Sequence, residues 1–149
     1  MPFFFMILLL AKGDTLPHFT KISIQGDTID TKKLKNKVII FNFWTTWCPA
    51  CIMEIPGLID LYKNYKDKGL MIIGISLNED AEDVIDFINK NKVIYPVIMG
   101  DEEINQIFGR ILFIPTTFII AKNNIVYDKF VGYRSEAVME EIITQLLNK

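Results

Sequence analysis

The chain has 149 residues, 50% hydrophobic and 23% charged, with a net charge of −2. That suits one folded domain with a sizeable core. It gives no electrostatic reason to expect nucleic acid as a partner, and no repeat or long charge block divides the chain.

The N-terminus opens on an uninterrupted apolar run, "FFFMILLLA", from Phe3 to Ala11. A bilayer span takes about 20 such residues, so the run is too short for one. Two readings stand. Residues 1–12 are the end of an export signal or membrane anchor, or they form an extra strand or helix packed on a domain covering residues 13–149.

A polar loop, "GDTLPHF", follows, and His18 within it reads as a solvated loop residue. "TKISIQGDTIDT" alternates around "QGD" as a short hairpin does. Lys32, Lys33, Lys35 and Lys37 then read as a solvated face. "VIIFNFW" (Val38 to Trp44) is apolar enough for a strand covered on both sides, as in a parallel sheet. The cysteines follow it directly. Ile52, Ile55, Ile59 and Tyr62 then recur at helical spacing up to Gly69. "LMIIGISL" predicts a second buried strand. "NEDAEDVIDFINKNK" predicts a helix, acidic at its start and basic at its end. A short strand in "YPVIMGD" and a short helix in "EEINQIF" come next. "TTFIIA" and "IVYDKFV" predict a hairpin turning at Asn123–Asn124. The last helix has Ser135 as its N-cap. Strands alternating with helices, then a hairpin and helix, predict a mixed α/β sheet with helices on both faces. Phe41, Phe43, Phe87, Phe118 and Trp44 are predicted core.

Both cysteines lie in "FWTTWCPAC", where the first central strand hands over to its helix. A structural zinc site needs four ligands, and this chain offers two cysteines and one histidine. A disulfide closing so short a loop removes little entropy from the unfolded chain, so it is a poor staple. Redox chemistry fits better. Cys48 at a helix N-terminus is favoured as a thiolate by the backbone N–H groups and the macrodipole. Pro49 fits the first helical turn, where no N–H is needed. Cys51, one turn in, is the resolving thiol. Glu54, a further turn on, can face the same way and serve as the acid–base group for the cysteines; the alternative is an exposed glutamate favoured by the helix dipole.

W-C-x-x-C after a buried strand resembles the active-site stretch of the thioredoxin superfamily. Pro56 matches the proline inside that family's active-site helix. "IPTTF" (Ile114 to Phe118) resembles the cis-proline segment, and "VGY" (Val131 to Tyr133) the glycine-containing loop beside it. The "LPHF" approach, the helix–strand insertion at about Ala81 to Met99, and Glu54 resemble the TlpA/ResA-like thiol-disulfide oxidoreductases in particular. The resemblance implies a thioredoxin-like α/β fold and disulfide exchange with protein substrates through Cys48 and Cys51. It also implies no cofactor beyond that disulfide and no metal. A protein redox partner would reset the pair, and substrates would lie along Trp47, Pro49, Ile114, Pro115 and Gly132. Members of that branch act outside the cytoplasm, many tethered to the membrane, and some reduce apocytochromes c. The expectation is therefore an extracytoplasmic monomer, with a cytoplasmic location as the alternative.

Departures limit the resemblance. Thioredoxins carry a buried Asp six residues before the nucleophile; here it is Asn42, which does not titrate. The branch often has Asp at the position of His18. Thr45 gives a peroxiredoxin-like T-x-x-C, yet the proline of that family is replaced by Phe41. Peroxide reduction, or a binding module that only retains the fold, are the alternatives to disulfide exchange.

Overall fold

The computed structural model describes residues 9–78 and 80–149. Its centre is a five-stranded sheet ordered β5-β4-β3-β6-β7. The strands are β3 (Val38–Trp44), β4 (Leu70–Ser76), β5 (Val97–Met99), β6 (Thr116–Ile120) and β7 (Val126–Val131). A separate hairpin, β1 (Thr20–Ile22) with β2 (Thr28–Asp30), precedes them. All seven residues of β3 are buried, as its continuous apolar sequence requires. β3, β4 and β5 run parallel, β6 runs against β3, and β7 runs against β6. The β6–β7 turn is closed by Asn124 N–H donating to Ala121 C=O at 2.9 Å.

The helices are α1 (Pro49–Tyr65), α2 (Ala81–Asn91), α3 (Glu102–Phe108) and α4 (Glu136–Leu147). Ser135 caps α4, its hydroxyl accepting from Val138 N–H. Alternation along β3 sends its residues to two cores. Val38, Ile40 and Trp44 pack with Ile55 and Leu58 of α1, Val84 and Ile88 of α2, and Ile143 of α4. Ile39, Phe41 and Phe43 pack on the other face with Ile104 and Phe108 of α3 and with Phe118. Phe108 is the hub of that side, its ring centre lying 5.0 Å from Phe41, 5.1 Å from Phe43 and 5.1 Å from Phe118.

Three expectations change. Phe87 is half-buried, because α2 lies at one side of the sheet and lays this ring over Trp44, 5.0 Å away. His18 is not merely solvated: its Nε2 pairs with Asp30 Oδ1 at 3.0 Å, and that bond holds the Asp30 carboxyl below its usual range. The packed chain also starts before residue 13. Leu10 is buried among the second core, and its N–H donates to Phe108 C=O at 3.3 Å. Residues 1–8 of the apolar run lie outside the described residues.

Both sheet edges are covered in part. Gly13 N–H and Asp14 C=O bond to Val126, and Thr15 bridges to Ile125, so the N-terminal segment covers the start of β7. At the other edge Ile24 N–H donates to Val97 C=O at 2.8 Å. The Gln25 amide there mimics a strand, accepting from Val97 N–H and donating to Tyr95 C=O, both at 3.0 Å.

Candidate active site

β3 ends at Trp44, and the backbone turns through Thr45–Trp47 into α1. This turn is braced from β4. Thr46 N–H donates to Asn78 Oδ1 at 3.0 Å, and Asn78 Nδ2 donates to Thr46 Oγ1 at 2.8 Å. The Ser76 hydroxyl donates to the same Asn78 oxygen at 2.9 Å. Cys48 is the N-cap of α1 with extended backbone angles, and its Sγ accepts from Cys51 N–H at 3.3 Å. Pro49 opens the helix, where its missing N–H costs no bond. Cys48 and Cys51 form a disulfide, with Cα atoms 5.2 Å apart. Cys51 is fully buried, whereas Cys48 keeps 6% of its surface. Trp47, beside them, is 71% exposed. A tryptophan held in water next to a reactive sulfur is available to a partner and contributes little to the core.

The second wall of the site comes from the far end of the chain. The Ile114–Pro115 peptide bond is cis, and Ile114 C=O lies 3.9 Å from Cys48 Sγ. Gly132 N–H donates to Pro115 C=O at 2.8 Å. Gly132 has φ +90°, a backbone conformation that residues with a Cβ rarely adopt. Leu112, Phe113 and Tyr133, all exposed, surround this wall with apolar surface.

Glu54 is only 2% exposed, which removes the reading of it as a surface charge. Its Oε1 accepts from Asn42 Nδ2 at 3.0 Å and its Oε2 from Arg134 N–H at 2.8 Å. Asn42 Nδ2 also donates to Thr117 Oγ1 at 3.2 Å. Burial raises the Glu54 pKa, and the Arg134 N–H and the Asn42 amide oppose that rise. The charge of Glu54, after burial, also pushes the Tyr95 phenol upward. One helical turn from the buried sulfur there is thus a carboxyl poised to hold a proton longer than an ordinary glutamate.

The structure brings Cys48, Cys51, Glu54, Trp47, Pro49, Ile114, Pro115 and Gly132 to one end of the sheet. Asn78, Thr117 and the Arg134 N–H also belong there, and the sequence reading passed over them. Two adjacent threonines in an otherwise apolar buried strand were the signal for Thr117. Asn78 and Arg134 gave none, since each acts through folding at a distance. Among the described residues no group of three His, Cys, Asp or Glu side chains could hold a metal ion.

A profile of the AhpC/TSA family matches residues 12–129. The chain is 31% identical over 135 residues to thiol-disulfide oxidoreductase ResA of Bacillus thuringiensis strain Al Hakam, covering 90% of this chain and 78% of that one. It is 28% identical to ResA of Bacillus subtilis, covering 89% and 74%. Among solved structures it resembles a thiol:disulfide interchange protein of the thioredoxin family from Chlorobium tepidum TLS. That match has a TM-score of 0.86 and 33% identity over 92% of this chain and 98% of the other. The buried carboxyl behind a C-x-x-C pair, the cis-proline wall and these likenesses agree: the chain belongs to the AhpC/TSA family and, within the thioredoxin superfamily, is a TlpA/ResA-like thiol-disulfide oxidoreductase.

Proposed function

We propose that the protein reduces disulfides of protein substrates outside the cytoplasm. The Cys48 thiolate attacks a substrate disulfide, forming a mixed disulfide and releasing one substrate thiolate. Cys51 gives its proton to Glu54 and attacks Cys48 Sγ. The second substrate thiolate leaves, and the Cys48–Cys51 disulfide remains for a protein reductant to reopen. The observation carrying this reading is Glu54, buried one helical turn past the resolving cysteine and held by Asn42 and the Arg134 N–H. Resolution requires a poorly solvated thiol to ionise, and a nearby base with a raised pKa meets that need.

In this reading substrate chain lies between Trp47 and the cis-proline wall, pairing with the Ile114 backbone as an added strand does. The likeness to ResA proteins supports an extracytoplasmic site of action and makes apocytochromes c the first substrates to try. The apolar residues ahead of the packed Leu10 then belong to an export signal or tether. Peroxide reduction is the weaker reading, because Phe41 fills the peroxiredoxin proline position and is buried in the aromatic core.

The test is trapping. In Cys51→Ser, mixed disulfides with substrate peptides should accumulate on Cys48. In the reduced wild type, Cys48 should alkylate before Cys51 near neutral pH. Preferential alkylation of Cys51 would reverse the two roles, and failure to reduce insulin would remove the activity.

A further inference from the structure

The four strands that lead into helices run in one direction, so α1, α2, α3 and α4 all begin at the end of the sheet that carries Cys48. Acidic residues gather in the first turns there, among them Glu82, Asp83, Glu102, Glu103 and Glu136. They complement the positive ends of the helix dipoles.

The opposite end is the reverse. A groove of about 490 Å³ has an apolar floor that includes Ala121, Ile125, Val126 and Leu146, with Lys12, Lys122 and Lys149 also lining it. Lys12 Nζ and Lys149 Nζ lie 5.9 Å and 6.0 Å from the Tyr127 ring centre. Lys122 Nζ donates to Leu147 C=O at 2.7 Å, offsetting the negative end of α4. A hollow lined by Lys32 and Lys35 reaches Asn124, the β6–β7 turn residue between Asn123 and Ile125 of the groove. Another, lined by Lys68, adjoins it at the end of α4. Lys12, Lys32, Lys35, Lys68 and Lys149 are all exposed. Against them stand Asp14, Asp30, Asp67 and Asp128, and Glu140 beside Tyr65 in the Lys68 hollow. Asp14 is engaged by Ala11 N–H at 2.9 Å, and Asp30 is tied to His18.

We propose that this lysine-rich end docks on an anionic phospholipid bilayer. A tyrosine flanked by lysines over an apolar floor matches the boundary between headgroups and acyl chains, where the stems bury and the ammonium groups meet phosphate. The same surface repels the acidic end, so one orientation is favoured. β3 rises about 3.3 Å per residue, which separates the two ends by roughly 20 Å. At a Debye length of about 8 Å, Cys48 stands clear of the surface potential. The docking does not rest on the redox reading, and its failure would leave that reading intact.

Sedimentation of the full chain with vesicles tests it, using phosphatidylcholine alone and an equimolar mixture with phosphatidylglycerol. Neutral vesicles measure whatever the apolar N-terminus contributes. The mixed vesicles should bind at least about tenfold more protein at low salt and lose that excess at high salt. Lys35→Glu with Lys68→Glu should cut the excess by about tenfold or more. Arg110→Glu with Lys129→Glu, an equal change of charge away from this end, should leave it within about twofold. Insulin reduction and far-ultraviolet dichroism report that both variants fold. Equal binding to the two vesicle types, or equal loss in the two variants, would overturn the proposal.

Discussion

β3 builds two different regions from alternate residues. On one face Phe41 and Phe43 meet Phe108 and Phe118 in an apolar layer. On the other, Asn42 sits among apolar neighbours and holds Glu54. The first face spends its burial on stability: its aromatic pairs each contribute about 0.5–1.5 kcal/mol beyond area. The second carries a carboxyl whose ionised form burial disfavours. A strand can serve both purposes because its side-chain period keeps the two sets apart.

The largest test of that division is Phe108→Ala. It removes the hub of the aromatic face and should destabilise the fold by about 3–5 kcal/mol. Turnover per folded molecule should not change. A denaturant titration beside an insulin assay reads both, and a loss of turnover in the folded fraction would show that the faces are coupled.

Glu54→Gln should do the converse. Disulfide exchange near neutral pH should slow on the order of 10²-fold, the lower range for acid–base catalysis, while the protein stays folded. Stability carries a sign as well. The folded-state pKa of Glu54 is raised above its unfolded value. Its contribution to stability is therefore complete below the ordinary carboxylate range and is lost as pH rises through the raised pKa. Relative to wild type, Glu54→Gln should gain melting temperature from about pH 4 to pH 8. A constant difference across that range, with an unaltered rate profile, would return Glu54 to a packing role.

The smallest effect belongs to Thr117→Val. It keeps the shape but leaves one Asn42 N–H without its acceptor, at a cost of about 1–3 kcal/mol. It should also displace the pH profile of exchange slightly, because the Asn42 amide is then free to turn away from Glu54. An unchanged profile would confine Thr117 to stability.

The two faces were not equally legible in the sequence. Val38 to Trp44 and the aromatic residues around it announce a buried strand, since apolar runs and β-branched residues carry their own signal. The cysteines and Pro115 were recognisable as motifs. Glu54 was half legible: helical spacing turned it toward Cys51, but its burial is decided by Arg134, which folds in from beyond β7. Asn78 closes the active-site turn from the end of β4, and an isolated asparagine after a strand reads as an ordinary loop residue. Phe87 failed for a related reason. Its spacing marked the inner face of a helix, but α2 has open space on one side.

The covered sheet edges have a consequence for how the molecule behaves in a crowd. An exposed strand edge pairs with any extended chain, including another copy of itself. Gln25 and the Ile24 N–H occupy the β5 side, and residues 13–15 occupy the start of β7. Farther along β7 stand Asp128 and Lys129, charges of the kind that discourage pairing. These covers leave little strand edge for a second copy to pair with, and in the proposed reading the backbone offered to a substrate chain is the short stretch at Ile114, 3.9 Å from Cys48 Sγ.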